Sequence, residues 1–239
     1  MNDELRDIFV DTLATINIEN YKNGTTTKYD FTHNVKFMWT PKDEKNIEVQ
    51  NMDTVSSATI LSKVGKTAVL NMASPKRPGG GVRNGARAQE ECLFRCSNLA
   101  TSISEDFYPL NNDVALYTKD AIFFKDRYYN KMEPITVDVI TIAALNLNNY
   151  PKDDTYEPLT KDKIRLMLSL PIINGVKNIV LGAWGCGVFD NDPSEMSNMF
   201  YDVIVNEGYY IFFDNIKFAI INDHNSVGNN YTIFKNKFN

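Results

Sequence analysis

Cysteine is scarce in this chain of 239 residues: there are three, Cys92, Cys96 and Cys186, with no C-x-x-C pair among them. That excludes a disulfide framework, and two thiols four residues apart make a poor zinc site. The three read as reduced thiols, and so as an intracellular, non-secreted setting, cytoplasmic or, in a eukaryote, nuclear. Histidine is scarcer still. His33 and His224 have no partners at ligand spacing, so neither a metal nor another cofactor is expected. No apolar stretch approaches ~20 residues, which argues against a membrane span. The opening MNDELRDIFV mixes acids and bases, against a secretion signal. Positive charge is also in deficit, with 25 Lys and Arg against 30 Asp and Glu and a net charge of −5. Capture of nucleic acid by a broadly basic surface, and sequence-specific reading of it, are not expected. An anionic ligand has to be held by local donors such as backbone N–H groups. A monomer is the expectation.

What is present is ordinary globular material, 43% hydrophobic and 23% charged. A chain of this length buries about 70% of its unfolded surface without staples. With no repeat and no low-complexity linker, residues 1–239 are expected to form one domain, 1–50 being an N-terminal extension packed on the core. Leu5, Ile8, Phe9, Leu13 and Ile16 recur at helical spacing, so Asp3 to Ile16 is predicted helical. Asn20 to Thr27 is polar, contains Gly24 and reads as a loop. Val35–Trp39, Ile47–Val49, Thr67–Asn71, Val114–Thr118, Ile122–Phe124, Val137–Ala143, Asn178–Ala183 and Lys217–Ile221 read as strands, with Ser56–Leu61 a weak addition. Ala86–Leu99, with Ala88, Cys92, Leu93 and Cys96 inward, Thr160–Leu170 and Pro193–Asn206 read as helices, the last capped by Asp192. Asn146 to Thr160 is the longest expected loop. Strands alternating with helices predict an α/β layer structure around a mixed sheet.

Two glycine-rich segments each follow a buried strand, where ligands bind in open α/β sheets. The first is Gly79-Gly80-Gly81, with Gln89-Glu90-Glu91 eight residues on. Alone, three glycines make a flexible turn. With a helix of acids behind them, they let backbone approach a ligand without a Cβ in the way. The second is Gly182-Ala-Trp-Gly185-Cys186-Gly187-Val188-Phe189. Successive N–H groups there form an anion nest, supported by the dipole of the following helix, which suits a diphosphate. A dinucleotide fingerprint is a poorer match, because the first cluster is a run of three and not G-x-G-x-x-G.

"GGGVRNGARAQEE", "LNMASPKRPGGG", "VDVITIAA" and "VLGAWGCGVFDNDP" resemble, in order, segments of the microbial-type poly(ADP-ribose) glycohydrolases. The opening "RDIFVDTLATINIENY" is similar to the family's first helix. The spacer Val82-Arg83-Asn84 and Leu145 depart from the family pattern. The resemblance implies a macrodomain-like fold, a mixed sheet sandwiched between helices with ADP-ribose in a cleft at one end. It also implies an enzyme acting on poly(ADP-ribose) or ADP-ribosylated macromolecules, working from the chain end, with ADP-ribose as product.

Two carboxylates facing each other across the sugar are the usual glycosidase arrangement. Glu90 and Glu91 cannot form it, because adjacent helical residues diverge by about 100°. One acid near the bond is therefore expected, its neighbour acting otherwise. By resemblance, Glu91 protonates the leaving oxygen and then activates water, while Glu90 holds ribose hydroxyls. Gly185, Cys186, Gly187 and Val188 hold the diphosphate through main-chain N–H groups. Phe189 packs on the distal ribose, Asn71 contacts it, and Gln89 bonds to loop backbone. Two other readings stay open: removal of single ADP-ribose units from protein or nucleic acid, and non-catalytic binding of ADP-ribose.

Overall fold

The computed structural model describes residues 3–42, 45–221 and 229–238; His224 lies outside the described residues. Along the chain run α1 (Asp3–Ile18), β1 (Thr25–Asp30), β2 (Ile47–Gln50), α2 (Thr54–Leu61), β3 (Thr67–Met72), α3 (Gln89–Cys96) and α4 (Leu99–Ser102). There follow β4 (Val114–Lys125), β5 (Lys131–Ile142), α5 (Tyr156–Ile173), β6 (Asn178–Leu181), α6 (Pro193–Tyr201), β7 (Asn215–Ala219) and α7 (Asn230–Phe238).

The strands form one sheet in the order β1-β4-β5-β3-β6-β7-β2. From β5 to β2 every neighbour is parallel, whereas β4 runs antiparallel to both β5 and β1. The central strands are buried on both faces and so read as unbroken apolar runs. Alternate residues serve opposite layers. Leu70, Ile140 and Ile179 pack with Ile164 and Met167 of α5 and Phe200 of α6. Val69, Val139 and Val180 pack with Phe9 of α1, Ala58 of α2 and Leu93 and Phe94 of α3. The expected mixed sheet between helices is what forms. Among the described residues no helix is long and apolar enough to cross a membrane.

Several local expectations are corrected. Val35–Trp39 is not a strand; Phe37 and Trp39 lie in irregular chain and pack edge-on against Tyr209 and Tyr210. Ser56–Leu61 belongs to a helix started by Asp53, whose carboxylate accepts the Ser56 N–H at 3.0 Å. The expected loop over Asn20–Thr27 ends in edge strand β1. Segment 1–50 thus holds both edge strands. The helix expected from Ala86 begins at Gln89, and Ala88 is exposed and extended, not inward. The two strands expected at Val114–Thr118 and Ile122–Phe124 are one strand, β4, with a bulge between Thr118 and Ala121. The helix expected over Pro193–Asn206 does form, as α6 followed by a π-helical turn over Asp202–Asn206. The loop from Asn146 stops at Tyr156, and the last strand is Asn215–Ala219, not Lys217–Ile221.

Candidate active site

Strands β3 and β6 are parallel neighbours, so the two glycine segments leave the sheet side by side. They touch at their roots: a Cβ built on Gly182 would lie 2.2 Å from the Met72 methyl. The chain after β3 rises, turns through the glycine run and returns as α3, which brings Glu90 and Glu91 back beneath the loop.

Fully buried Arg95 fixes that return. Its Nε donates to the Leu5 carbonyl at 3.0 Å, and a terminal nitrogen donates to the Ala86 carbonyl at 2.8 Å, tying α1, the loop and α3 together. Gln89 adds a second tie. Its Nε2 donates to the Leu70 carbonyl at 2.6 Å, and its Oε1 accepts the Met72 N–H at 2.9 Å. The amide expected to bond loop backbone thus grips the end of β3, which makes Gln89 a positioning residue.

Glu90 is 3% exposed. Its carboxylate accepts the Ser74 N–H at 2.7 Å, the Gly79 N–H at 3.1 Å and, at 3.4 Å, Asn71 Nδ2. Burial pushes its carboxyl up to about 8, against the downward pull of these donors. Glu91 is 7% exposed. Its Oε1 accepts the Gly81 N–H at 2.9 Å, while buried Oε2 has no partner among the described residues. Asn71, buried at the end of β3, donates to Thr141 Oγ1 at 3.2 Å, and its own Oδ1 has no partner among the described residues. Two buried acceptors, Glu91 Oε2 and Asn71 Oδ1, thus stand without a donor among the described residues. A buried acceptor without a donor costs about 1–3 kcal/mol, so the site is built to receive donors such as sugar hydroxyls. Gly80 makes the close approach possible: it sits at φ +52°, and a Cβ there would fall 2.6 Å from Glu91 Oε1.

In the second loop Gly185 has φ +80°, and a Cβ there would strike Ala144 and Asn191, both at 2.8 Å. Among the described residues no acceptor takes the N–H of Gly185, Gly187, Val188 or Phe189. Val188 and Gly187 are exposed and Phe189 is half-buried against the core. Cys186 departs from expectation: its N–H is held by the Ala183 carbonyl at 3.2 Å. The following helix departs as well. Asp192 caps α6, accepting from Ser194 and Glu195 N–H at 2.8 and 3.0 Å, so the first-turn donors are already taken.

Sequence reasoning missed Asn191. Its buried Nδ2 donates to the Leu145 carbonyl at 2.8 Å and the Gly185 carbonyl at 3.0 Å, and its Oδ1 accepts from the Tyr156 hydroxyl at 2.9 Å. It joins the second glycine loop to the loop after β5. Lying between two aspartates before a proline, it carried only a turn signal. Among the described residues no group of three His, Cys, Asp or Glu side chains could hold a metal ion.

Residues 10–126 match the family described as "Microbial-type PARG, catalytic domain". Among solved structures, the chain is similar to the poly(ADP-ribose) glycohydrolase (PARG) of Thermomonospora curvata, at 24% identity and a TM-score of 0.87, covering 99% of this chain and 100% of that one. The same enzyme bound to the inhibitor ADP-HPD matches at 23% identity and a TM-score of 0.84, covering 99% of this chain and 100% of that one. The PARG of Deinococcus radiodurans in complex with ADP-ribose matches at 29% identity and a TM-score of 0.71, covering 80% of this chain and 83% of that one. No match is found among curated proteins.

Proposed function

We infer that this chain is a glycoside hydrolase of the microbial-type PARG family that cleaves the ribose–ribose O-glycosidic bonds of poly(ADP-ribose) and releases ADP-ribose. The reading rests on one observation: the Glu91 carboxyl is buried beside the glycine run with one oxygen bound by Gly81 N–H and the other unpartnered. A carboxyl whose Oε1 accepts a backbone N–H carries its proton on Oε2. That oxygen then donates to the departing ribose oxygen and afterwards takes a proton from the attacking water. Glu90, held from three sides, orients ribose hydroxyls together with Asn71. The unused N–H groups of Gly185, Gly187, Val188 and Phe189 bind the diphosphate, and the Phe189 ring packs on the distal ribose. Cys186 helps shape that loop, since its own N–H is engaged. Glycines 79 to 81 let the sugar approach both acids. Residues 1–239 act as one catalytic domain with 1–50 part of it, a monomer inside the cell working from the polymer end; the three cysteines, all free of disulfides, support the intracellular setting.

The test is Glu91→Gln, assayed with poly(ADP-ribose), with singly ADP-ribosylated protein and by ADP-ribose binding. Glutamine keeps an oxygen for Gly81 but has no proton to give. Turnover of polymer is expected to fall roughly 10²–10⁴-fold with binding retained. Unchanged turnover would remove Glu91 from the chemistry, and wild-type activity confined to singly modified protein would replace the polymer as substrate.

A further inference from the structure

Beside the glycine run, on the side away from the diphosphate loop, lies a cleft of about 320 Å³ that the mechanism above leaves unused. It is lined by Lys76, Arg77, Gly80, Arg83, Glu105 and Tyr108, among others. In a chain of net charge −5, three cations within eight residues form a local reversal of sign. Lys76, Arg77 and Arg83 are exposed, and none is in an ion pair among the described residues. The Arg83 guanidinium is steadied 5.8 Å over the Phe9 ring. Glu105 is the only acid lining this cleft among the described residues.

We propose that this cleft is a leaving-group subsite, in which Lys76, Arg77 and Arg83 hold the diphosphate of the next ADP-ribose unit of the polymer. The proposal rests on the glycohydrolase reading. Its first support is position. Gly80 is the wall between cleft and acids, with both Glu91 Oε1 and Glu90 Oε2 within 3.0 Å of where its Cβ would be. Its second is Tyr108. Tyr108 lines the cleft, while its hydroxyl is buried with no partner among the described residues, and burial with the nearby Glu90 charge pushes its ionisation up, so it stays a hydrogen-bond donor. Its third is topology. The Tyr108 segment leads into β4 and is pinned to the glycine loop by the Leu110 N–H, which donates to the Pro75 carbonyl at 2.8 Å. Since β4 and β6 lie on opposite sides of β3 in the sheet, the cleft and the diphosphate loop flank the acids from opposite sides. One phosphate-binding feature on each side of a glycosidic acid matches a substrate with a diphosphate on each side of the bond.

The experiment compares wild type with the K76A/R77A/R83A variant on poly(ADP-ribose) and on an aryl ADP-riboside whose leaving group has no phosphate. The polymer KM is expected to rise about tenfold with a shallower salt dependence, while kcat/KM for the aryl substrate stays within about twofold. Glu105→Lys should move the polymer KM the other way, which guards against a simple folding defect. Equal losses on both substrates, or an unchanged polymer KM, would overturn the subsite. So would a loss seen only with singly ADP-ribosylated DNA, which would assign the cations to nucleic acid. A wild-type chain that turns over neither substrate would instead sink the glycohydrolase reading, and the subsite with it.

Discussion

The two glycine loops share composition and position, yet they use their backbone in opposite directions. In the first, the N–H groups of Gly79 and Gly81 point inward and are bound by Glu90 and Glu91. In the second, the N–H groups of Gly185, Gly187, Val188 and Phe189 have no acceptor among the described residues. The first loop positions acids, and the second is left open to an anion. Both need a left-handed glycine, but for different neighbours: a pair of carboxylates presses on Gly80, and a core methyl and a bonding amide press on Gly185. A glycine-rich turn is therefore not one kind of site. What its N–H groups already bind decides whether it fixes side chains or is left with donors to spare.

Substitutions that exchange or erase this difference test it. Gly80→Ala should have the largest effect. Its Cβ displaces the Glu91 carboxylate, so kcat should fall on the order of 100-fold, with ADP-ribose affinity changed far less; steady-state kinetics beside calorimetric binding separate the two. Gly185→Ala should act mainly on affinity. The left-handed backbone costs roughly 1–2 kcal/mol for alanine, and distortion of the nest should weaken ADP-ribose binding about tenfold, with both Kd and Tm changing. An unchanged Kd there would mean that the second loop does not bind the diphosphate.

Glu90→Gln probes the inward-facing loop through pH. Burial raises the Glu90 carboxyl from 4.5 to about 8. The folded chain therefore keeps a proton that the unfolded chain loses, and this contribution to stability, full below 4.5, is lost as pH rises toward 8. Glutamine removes the dependence. The Tm of the variant relative to wild type should climb between pH 4.5 and 8, whatever constant offset the altered bonds to Ser74 and Gly79 impose. A parallel pair of Tm curves would show that Glu90 does not titrate in that window. The smallest effect belongs to Gly187→Ala. A Cβ there meets nothing within 4 Å, so stability should change by less than about 0.5 kcal/mol, while ADP-ribose binding should weaken measurably if this loop holds the proposed diphosphate.

Much of the site was legible in the chain. Gly79-Gly80-Gly81, Gln89-Glu90-Glu91 and Gly185-Cys186-Gly187 are local patterns, and both glycine segments follow a run whose apolar continuity marks a buried parallel strand. The missed elements had no such mark. Helix α2, TVSSATIL, is rich in β-branched residues and has five of its eight residues buried, which blurs the helical period. Strand β1, TTTKYD, is a polar edge strand paired, among the described residues, with β4 alone. Phe37 and Trp39 alternate like a strand but are claimed by the aromatic rings of 209–212.

By itself the sequence determined which groups are available: one acid pair, two bare-backbone turns and the strands that carry them, because periodicity and glycine runs are properties of neighbouring residues. Tertiary structure alone decided what each group does. Only the fold places Gly81 N–H on one oxygen of Glu91 and leaves the other bare, closes the Cys186 N–H on Ala183, sends Gln89 to β3 and lets Asn191 join two loops. Hydrogen-bond partners far apart in the chain are chosen by burial and packing, which no local pattern encodes.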